Sequence, residues 1–125
     1  MEDLNKKTYD IRKVCFDIHN NLGPGLLESV YEAVLSYKLS QRGYNVKTQV
    51  LLPVIYEGIK IGMGFRLDLL IDDEIIIELK SVESLQRVHV KQLLTYLRLA
   101  DVKLGLLINF NSDSLDRKNF VRLIN

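Results

Sequence analysis

The sequence predicts an α/β fold in which a mixed central β-sheet is flanked by α-helices. Three observations carry that expectation. Apolar residues recur at three- and four-residue intervals over 9–41 and again over 85–100, the period of a helix with one buried face. Between 46 and 80 the period falls to two, the signature of strands. The second helical stretch separates two strand-like runs, 74–80 and 103–110, and a crossover of that kind lets its flanking strands lie parallel.

In order along the chain, Ile11, Val14, Cys15, Ile18 and Leu22 define the inner face of a first helix, from Tyr9 to Leu22. Gly23, Pro24 and Gly25 break it. A second helix is expected from about Leu26 to Gln41, with Leu27, Val30, Tyr31, Val34 and Leu35 inward and Gly43 ending it. Val46, Thr48, Val50 and Leu52 then mark a strand. "YEGIK" at 56–60 reads as a hairpin turn into a second strand, 60–71, and Asp72 and Asp73 turn the chain into a third, 74–80. These three make an antiparallel meander. Val88, Leu93, Leu94, Leu97 and Ala100 give the third helix its packing residues. "KLGLLINF" supplies a fourth strand, and "NFVRLIN" is available for a fifth.

With 125 residues, 47% of them hydrophobic, and only two prolines, one domain spanning 1–125 with a real core is expected. No stretch approaches the roughly 18 apolar residues of a membrane span, and "MEDLNKKTYD" is too polar for a secretory signal, so a cytoplasmic protein is expected. The lone Cys15 falls on an apolar helix face and reads as a small core residue. A net charge of +1 announces no global field for nucleic acid. Local patches would have to serve, such as "NKK" at 5–7 or Arg87, Lys91 and Arg98, although a solvated face is the commoner explanation of such residues.

The run "DDEIIIELKS" poses a sharper question. Alternation in a strand sends Ile75, Ile77 and Leu79 to one face and Ile76, Glu78 and Lys80 to the other. In the preceding strand Asp68 stands among Leu67, Leu69, Leu70 and Ile71, and counting back from the turn places it roughly opposite Glu78. Two carboxylates and an ammonium then share one patch. Burying an unpaired carboxylate costs several kcal/mol in practice, and Lys80 offsets only one negative charge. A hard divalent cation such as Mg²⁺ or Mn²⁺ would neutralise the rest. The alternative is a partly buried ion pair, Glu78 with Lys80 or Arg66.

Asp68 followed ten residues later by Glu78-Leu79-Lys80, then a helix and a strand, resembles the PD-(D/E)XK nuclease superfamily and its restriction-endonuclease-like core. Gln92 and Tyr96 in "QLLTY" resemble the Q-x-x-x-Y motif of its RecB-type, lambda-exonuclease-like branch. Gly25, Glu28 and Tyr31 in "GLLESVY" resemble the signature of the bacterial and archaeal GxxExxY family. The likeness runs from about residue 8 to 125. One departure is Leu67, which stands where the superfamily pattern has proline.

The resemblance implies a metal-dependent nuclease acting on nucleic acid, DNA rather than RNA, with Mg²⁺ or Mn²⁺ held by Glu28, Asp68, Glu78 and the Leu79 backbone carbonyl. Lys80 would orient the attacking water and stabilise charge on the phosphate. Gln92 and Tyr96 would contact the substrate backbone or support the ligands, and helical spacing brings His89 onto their face. Arg66 stands beside Asp68 as a further substrate contact. Tyr31 and Gly25 read as structural, Gly25 allowing a close approach at the helix start, while Glu32 and Glu83 read as solvent charges. A homodimer or larger assembly would enlarge the surface for a duplex. The rival reading is a non-catalytic nucleic-acid- or protein-binding module that keeps the nuclease fold.

Overall fold

The structure is a computed structural model describing residues 1–125, the side chain of Met63 excepted. Its elements run α1 (Glu2–Leu22), α2 (Glu28–Gln41), β1 (Val46–Tyr56), β2 (Ile59–Ile71), β3 (Ile75–Lys80), α3 (Arg87–Ala100), β4 (Leu104–Asn109) and β5 (Phe120–Ile124). The five strands form one sheet in the order β1-β2-β3-β4-β5. β1, β2 and β3 are mutually antiparallel, β3 and β4 are parallel across the α3 crossover, and β5 returns antiparallel to β4. The expected meander, crossover and fifth strand are therefore all present.

The faces of β3 divide as alternation requires. Ile75, Ile77 and Leu79 pack with Ile11, Val14, Cys15 and Ile18 of α1 and with Tyr31, Leu35 and Leu39 of α2. Ile76 packs on the opposite side, with Leu93 and Leu97 of α3. At Gly105 of β4, an added Cβ would come within 3.0–3.1 Å of the Leu93 and Leu97 side chains, so the absence of a side chain there lets α3 lie close. Cys15 is fully buried, and burial pushes its thiol pKa upward, which suits a packing residue. Among the described residues no helix is long and apolar enough to cross a membrane.

Several expectations need correction. α1 begins at Glu2, seven residues before the expected start at Tyr9, because Leu4 packs against the core and Thr8 is buried ahead of the apolar stripe, with Glu2 and Asp3 near the helix N-terminus. α2 starts at Glu28, so Leu27 precedes the helix and is exposed, and α2 meets the sheet through the narrow stripe Tyr31, Leu35 and Leu39 that leaves Val30 at its margin. Leu22, Val88 and Leu94 also face outward. Lys7 of the "NKK" patch is engaged already. Its Nζ lies 2.9 Å from Asp72 and 3.1 Å from Glu74, which ties α1 to the β2–β3 turn. These side-chain hydrogen bonds to Asp72 and Glu74 raise the Lys7 pKa, so the ammonium stays charged where the helix meets the sheet.

Candidate active site

The β2–β3 ladder pairs Ile71 with Ile75, Leu70 with Ile76 and Leu69 with Ile77, and stops there. Asp68 and Glu78 come next, and side chains replace the backbone partners. The Asp68 N–H donates to Glu78 Oε1 at 3.1 Å, and the Leu79 N–H donates to Asp68 Oδ2 at 2.9 Å. Two carboxylates thus occupy the gap where the strands part and satisfy donors that the interrupted ladder leaves over. The register counted from the turn holds.

β1 bends at the same level. Gln49 stands between the pairs Thr48–Leu69 and Val50–Leu67, and its φ of 52° lies in the left-handed region. There the hairpin rotates by half a turn. Leu69 and Ile71 belong to the core beneath α1 and α2, whereas Phe65 and Leu67, also odd-numbered, belong to the core beneath α3. Val46 and Val50 show the same inversion on β1. Strict alternation would keep each set on one face, so Asp68 sits at a twist point.

A cleft of about 350 Å³ opens beside the two carboxylates and is lined by Glu28, Arg66, Asp68, Glu78, Lys80, Gln92 and Tyr96, together with the exposed Leu51. Each nominated side chain except His89 therefore faces one space. Glu78 is 4% exposed. Burial, and next the Asp68 carboxylate, push its carboxyl up to about 8. The Lys80 charge acts the other way without offsetting them. Among the described residues neither Lys80 nor Arg66 forms an ion pair with Glu78. Instead Lys80 Nζ lies 3.5 Å from Gln92 Oε1, at the outer limit of a hydrogen bond. The expected ion-pair alternative is thus absent.

Tyr96 is half-buried, its ring 5.0 Å from that of Phe65, and its hydroxyl pKa is raised by burial and then by the charges of Glu78 and Asp68. His89 departs from the expectation. Its Nδ1 accepts from the Gln86 N–H at 2.9 Å, so it caps the start of α3 rather than facing the cleft.

Glu28 owes its position to the turn before it. Tyr31 is fully buried and stacks on Phe110 with ring centroids 4.6 Å apart. Its hydroxyl donates to the Gly23 carbonyl at 2.6 Å and accepts from the Leu26 N–H at 3.2 Å. The tyrosine thereby pins both ends of the Gly23–Leu26 turn, and the first residue of α2, Glu28, emerges beside the cleft. Gly25 contributes conformation rather than close approach: its φ is 101°, and nothing lies within 4 Å of where a Cβ would stand. Tyr31→Phe is expected to lower stability by about 1–3 kcal/mol, by removing a buried hydroxyl with two partners; urea unfolding of the two proteins measures it.

Asn109, which sequence reasoning passed over, braces the other exit. It pairs with Lys80 in the parallel ladder and is fully buried. Its side chain accepts from the Val82 N–H at 3.1 Å and donates to the Val82 carbonyl at 3.0 Å and to Asn119 Oδ1 at 3.2 Å. The segment leaving β3 immediately after Lys80 is thereby fixed. An isolated asparagine in an apolar strand was the available signal.

The donor set fits a hard cation. Asp68 and Glu78 offer carboxylate oxygens with no ammonium bonded to either among the described residues, and Glu28 lies across the cleft. Among the described residues no three acidic, histidine or cysteine side chains are gathered into a ready-made cluster, so Glu28 belongs to the rim rather than to the Asp68–Glu78 pair. A family profile for the PD-(D/E)XK nuclease superfamily matches residues 5–123. The chain belongs to the PD-(D/E)XK nuclease superfamily. No curated protein and no solved structure matches it. Nucleases of this superfamily generally use divalent metal ions.

Proposed function

We propose that the cleft hydrolyses nucleic-acid phosphodiesters, DNA rather than RNA, with Mg²⁺ or Mn²⁺ held by Asp68, Glu78 and the Leu79 carbonyl and supported by Glu28, and that the chain is a GxxExxY protein close to the RecB-type branch. The observation that carries this reading is the carboxylate pair at the strand divergence, Glu78 buried and Asp68 half-buried, with no ion-pair partner on Glu78 among the described residues and Lys80 two residues further along the strand. A bound divalent cation supplies positive charge that polarises the phosphoryl oxygen and lowers the pKa of water. Lys80, free of a carboxylate partner, donates hydrogen bonds to the attacking water or to the phosphate oxygen on which charge develops. Gln92 stands beside the Lys80 ammonium in the cleft, its Oε1 3.5 Å from the Nζ. Arg66 and Tyr96 contact the phosphates that flank the cleavage point.

The test is calorimetric titration of Mg²⁺ and Mn²⁺ into the wild type, Asp68→Ala and Glu78→Ala, with labelled single- and double-stranded DNA and RNA incubated alongside. Binding is expected in the wild type and its loss in both variants, together with loss of cleavage. A wild type that binds no metal and cuts no substrate would overturn the reading in favour of a binding module.

A further inference from the structure

We propose that Glu32 and Gln49 are positioning residues for Asp68, an inference that rests on the reading of the cleft given above. Glu32 lies one turn beyond Glu28 on α2, where the sequence suggests a solvent charge. In the fold it is half-buried, and its Oε1 accepts a hydrogen bond from Gln49 Nε2 at 2.6 Å. A cavity of about 190 Å³ beside Asp68 is lined by Ser29, Glu32, Gln49 and Leu79, together with Glu28 and Arg66. Asp68, with Glu28 and Arg66, lines both this cavity and the cleft that holds Glu78 and Lys80, so Glu32 and Gln49 adjoin the same carboxylate from the α2 side.

Gln49 has a left-handed φ although it carries a Cβ and lacks the short polar side chain with which Asn or Asp stabilises that conformation locally. Such a conformation persists where the surroundings over-determine it. Here the side chain is fastened to α2 through Glu32, and the residue lies opposite Asp68, where both strands exchange faces. The linkage runs from the α2 backbone through Glu32 to Gln49. The left-handed bend it holds turns the hairpin, and the turned hairpin sets Asp68 so that its N–H reaches Glu78 and its carboxylate reaches the Leu79 N–H. Because Glu28 is on the same helix, one latch fixes both walls of the cleft. Burial pushes the Glu32 carboxyl upward, and the hydrogen bond from the Gln49 amide opposes that shift.

Glu32→Ala, Glu32→Gln and Gln49→Ala separate this role from its competitors. Amide hydrogen exchange in metal-free protein is read at Asp68 and Leu79, with Ile76 and Leu107 as reporters of the core. Glu32→Ala and Gln49→Ala are expected to speed exchange at Asp68 and Leu79 by roughly tenfold, as a local opening does, with the core amides unchanged. Glu32→Gln, whose Oε1 still accepts from Gln49, is expected to match the wild type and to keep its Mg²⁺ affinity, while the alanine variants lose affinity. Equal acceleration at Ile76 and Leu107, no acceleration at Asp68 and Leu79, or a Glu32→Gln variant that behaves like Glu32→Ala would each overturn the proposal. The last outcome would mean that the charge itself is needed. A wild type that neither binds Mg²⁺ nor cleaves nucleic acid would remove the nuclease reading alone, because the order of exchange rates still decides the latch.

Discussion

Lys80→Ala is expected to slow phosphodiester cleavage by about 10²–10³-fold, the loss seen when one preorganised donor to a developing oxyanion is removed, while leaving divalent-cation binding in place. The asymmetry follows from where Lys80 stands. It projects into the cleft, its Nζ near Gln92 Oε1, and no carboxylate holds it in an ion pair among the described residues. Its loss therefore strands no bonded partner charge, and the fold should tolerate it. Lys80→Arg is expected to restore little activity, because a planar fork cannot replace a compact ammonium at one point. Single-turnover cleavage at saturating metal, repeated across pH, separates direct from indirect action. The Lys80 charge also lowers the Glu78 pKa, so a defect that vanishes at higher pH would reveal a lysine acting only through Glu78. A defect that persists at every pH assigns Lys80 to the chemistry.

Much of this site was legible because strands encode their faces two residues at a time. Ile75, Ile77 and Leu79 against Ile76, Glu78 and Lys80 is a division any register preserves, and the turn at Asp72 and Asp73 fixed the partner of Glu78. The Q-x-x-x-Y spacing placed Gln92 and Tyr96 together for the same reason on a helix. His89 shared that face by counting, yet its position three residues after Gln86 made it a cap. No serine, threonine, aspartate or asparagine at the cap position and no acidic residue three further on announced this. Local geometry overrode periodicity there.

The half-turn at Gln49 and Asp68 was illegible for a deeper reason. Left-handed backbone is ordinarily signalled by glycine, asparagine or aspartate, and glutamine carries no such signal. The bend is held by α2, seventeen residues away along the chain, through Glu32. A pattern reading that treats charged helix residues as solvated unless they interrupt an apolar stripe cannot find such a contact. The misplacement of Leu27 has a similar origin. The hydrophobic period does not register where Tyr31 clamps the turn, so it does not say where α2 starts.

Glu78→Gln is expected to make the metal-free protein more stable at pH 8, by a few kcal/mol, and to abolish most of the pH dependence between pH 5 and 8. Folding raises the Glu78 carboxyl from the usual 4.5 to about 8, chiefly by burial and then by the neighbouring Asp68 carboxylate. The folded state thus binds a proton that the unfolded state releases. Stability from this group is fully present below pH 4.5 and declines as pH rises, by about 1.4 kcal/mol per unit, until the folded pKa near 8 is passed. Asp10 and Asp72 lie outside that window. The Arg42 guanidinium, against burial, and the Tyr44 hydroxyl together hold Asp10 below the usual carboxylate range; burial pushes Asp72 up, but Lys7 and the Asn45 N–H outweigh it. Their contributions are lost only under more acidic conditions. Glutamine keeps an Oε1 to accept from the Asp68 N–H but has no charge to bury, so it should remove the slope without disturbing the strand divergence. Urea unfolding at half-unit pH intervals in the presence of a chelator provides the measurement. Wild-type stability that stays flat or rises from pH 5 to 8 would sink the claim. Adding Mg²⁺ at pH 8 should then recover stability in the wild type but not in Glu78→Gln, because the ion binds only the deprotonated folded form and shifts the equilibrium by mass action. The same carboxylate that weakens the metal-free fold is the one that makes the site a receptor for a cation.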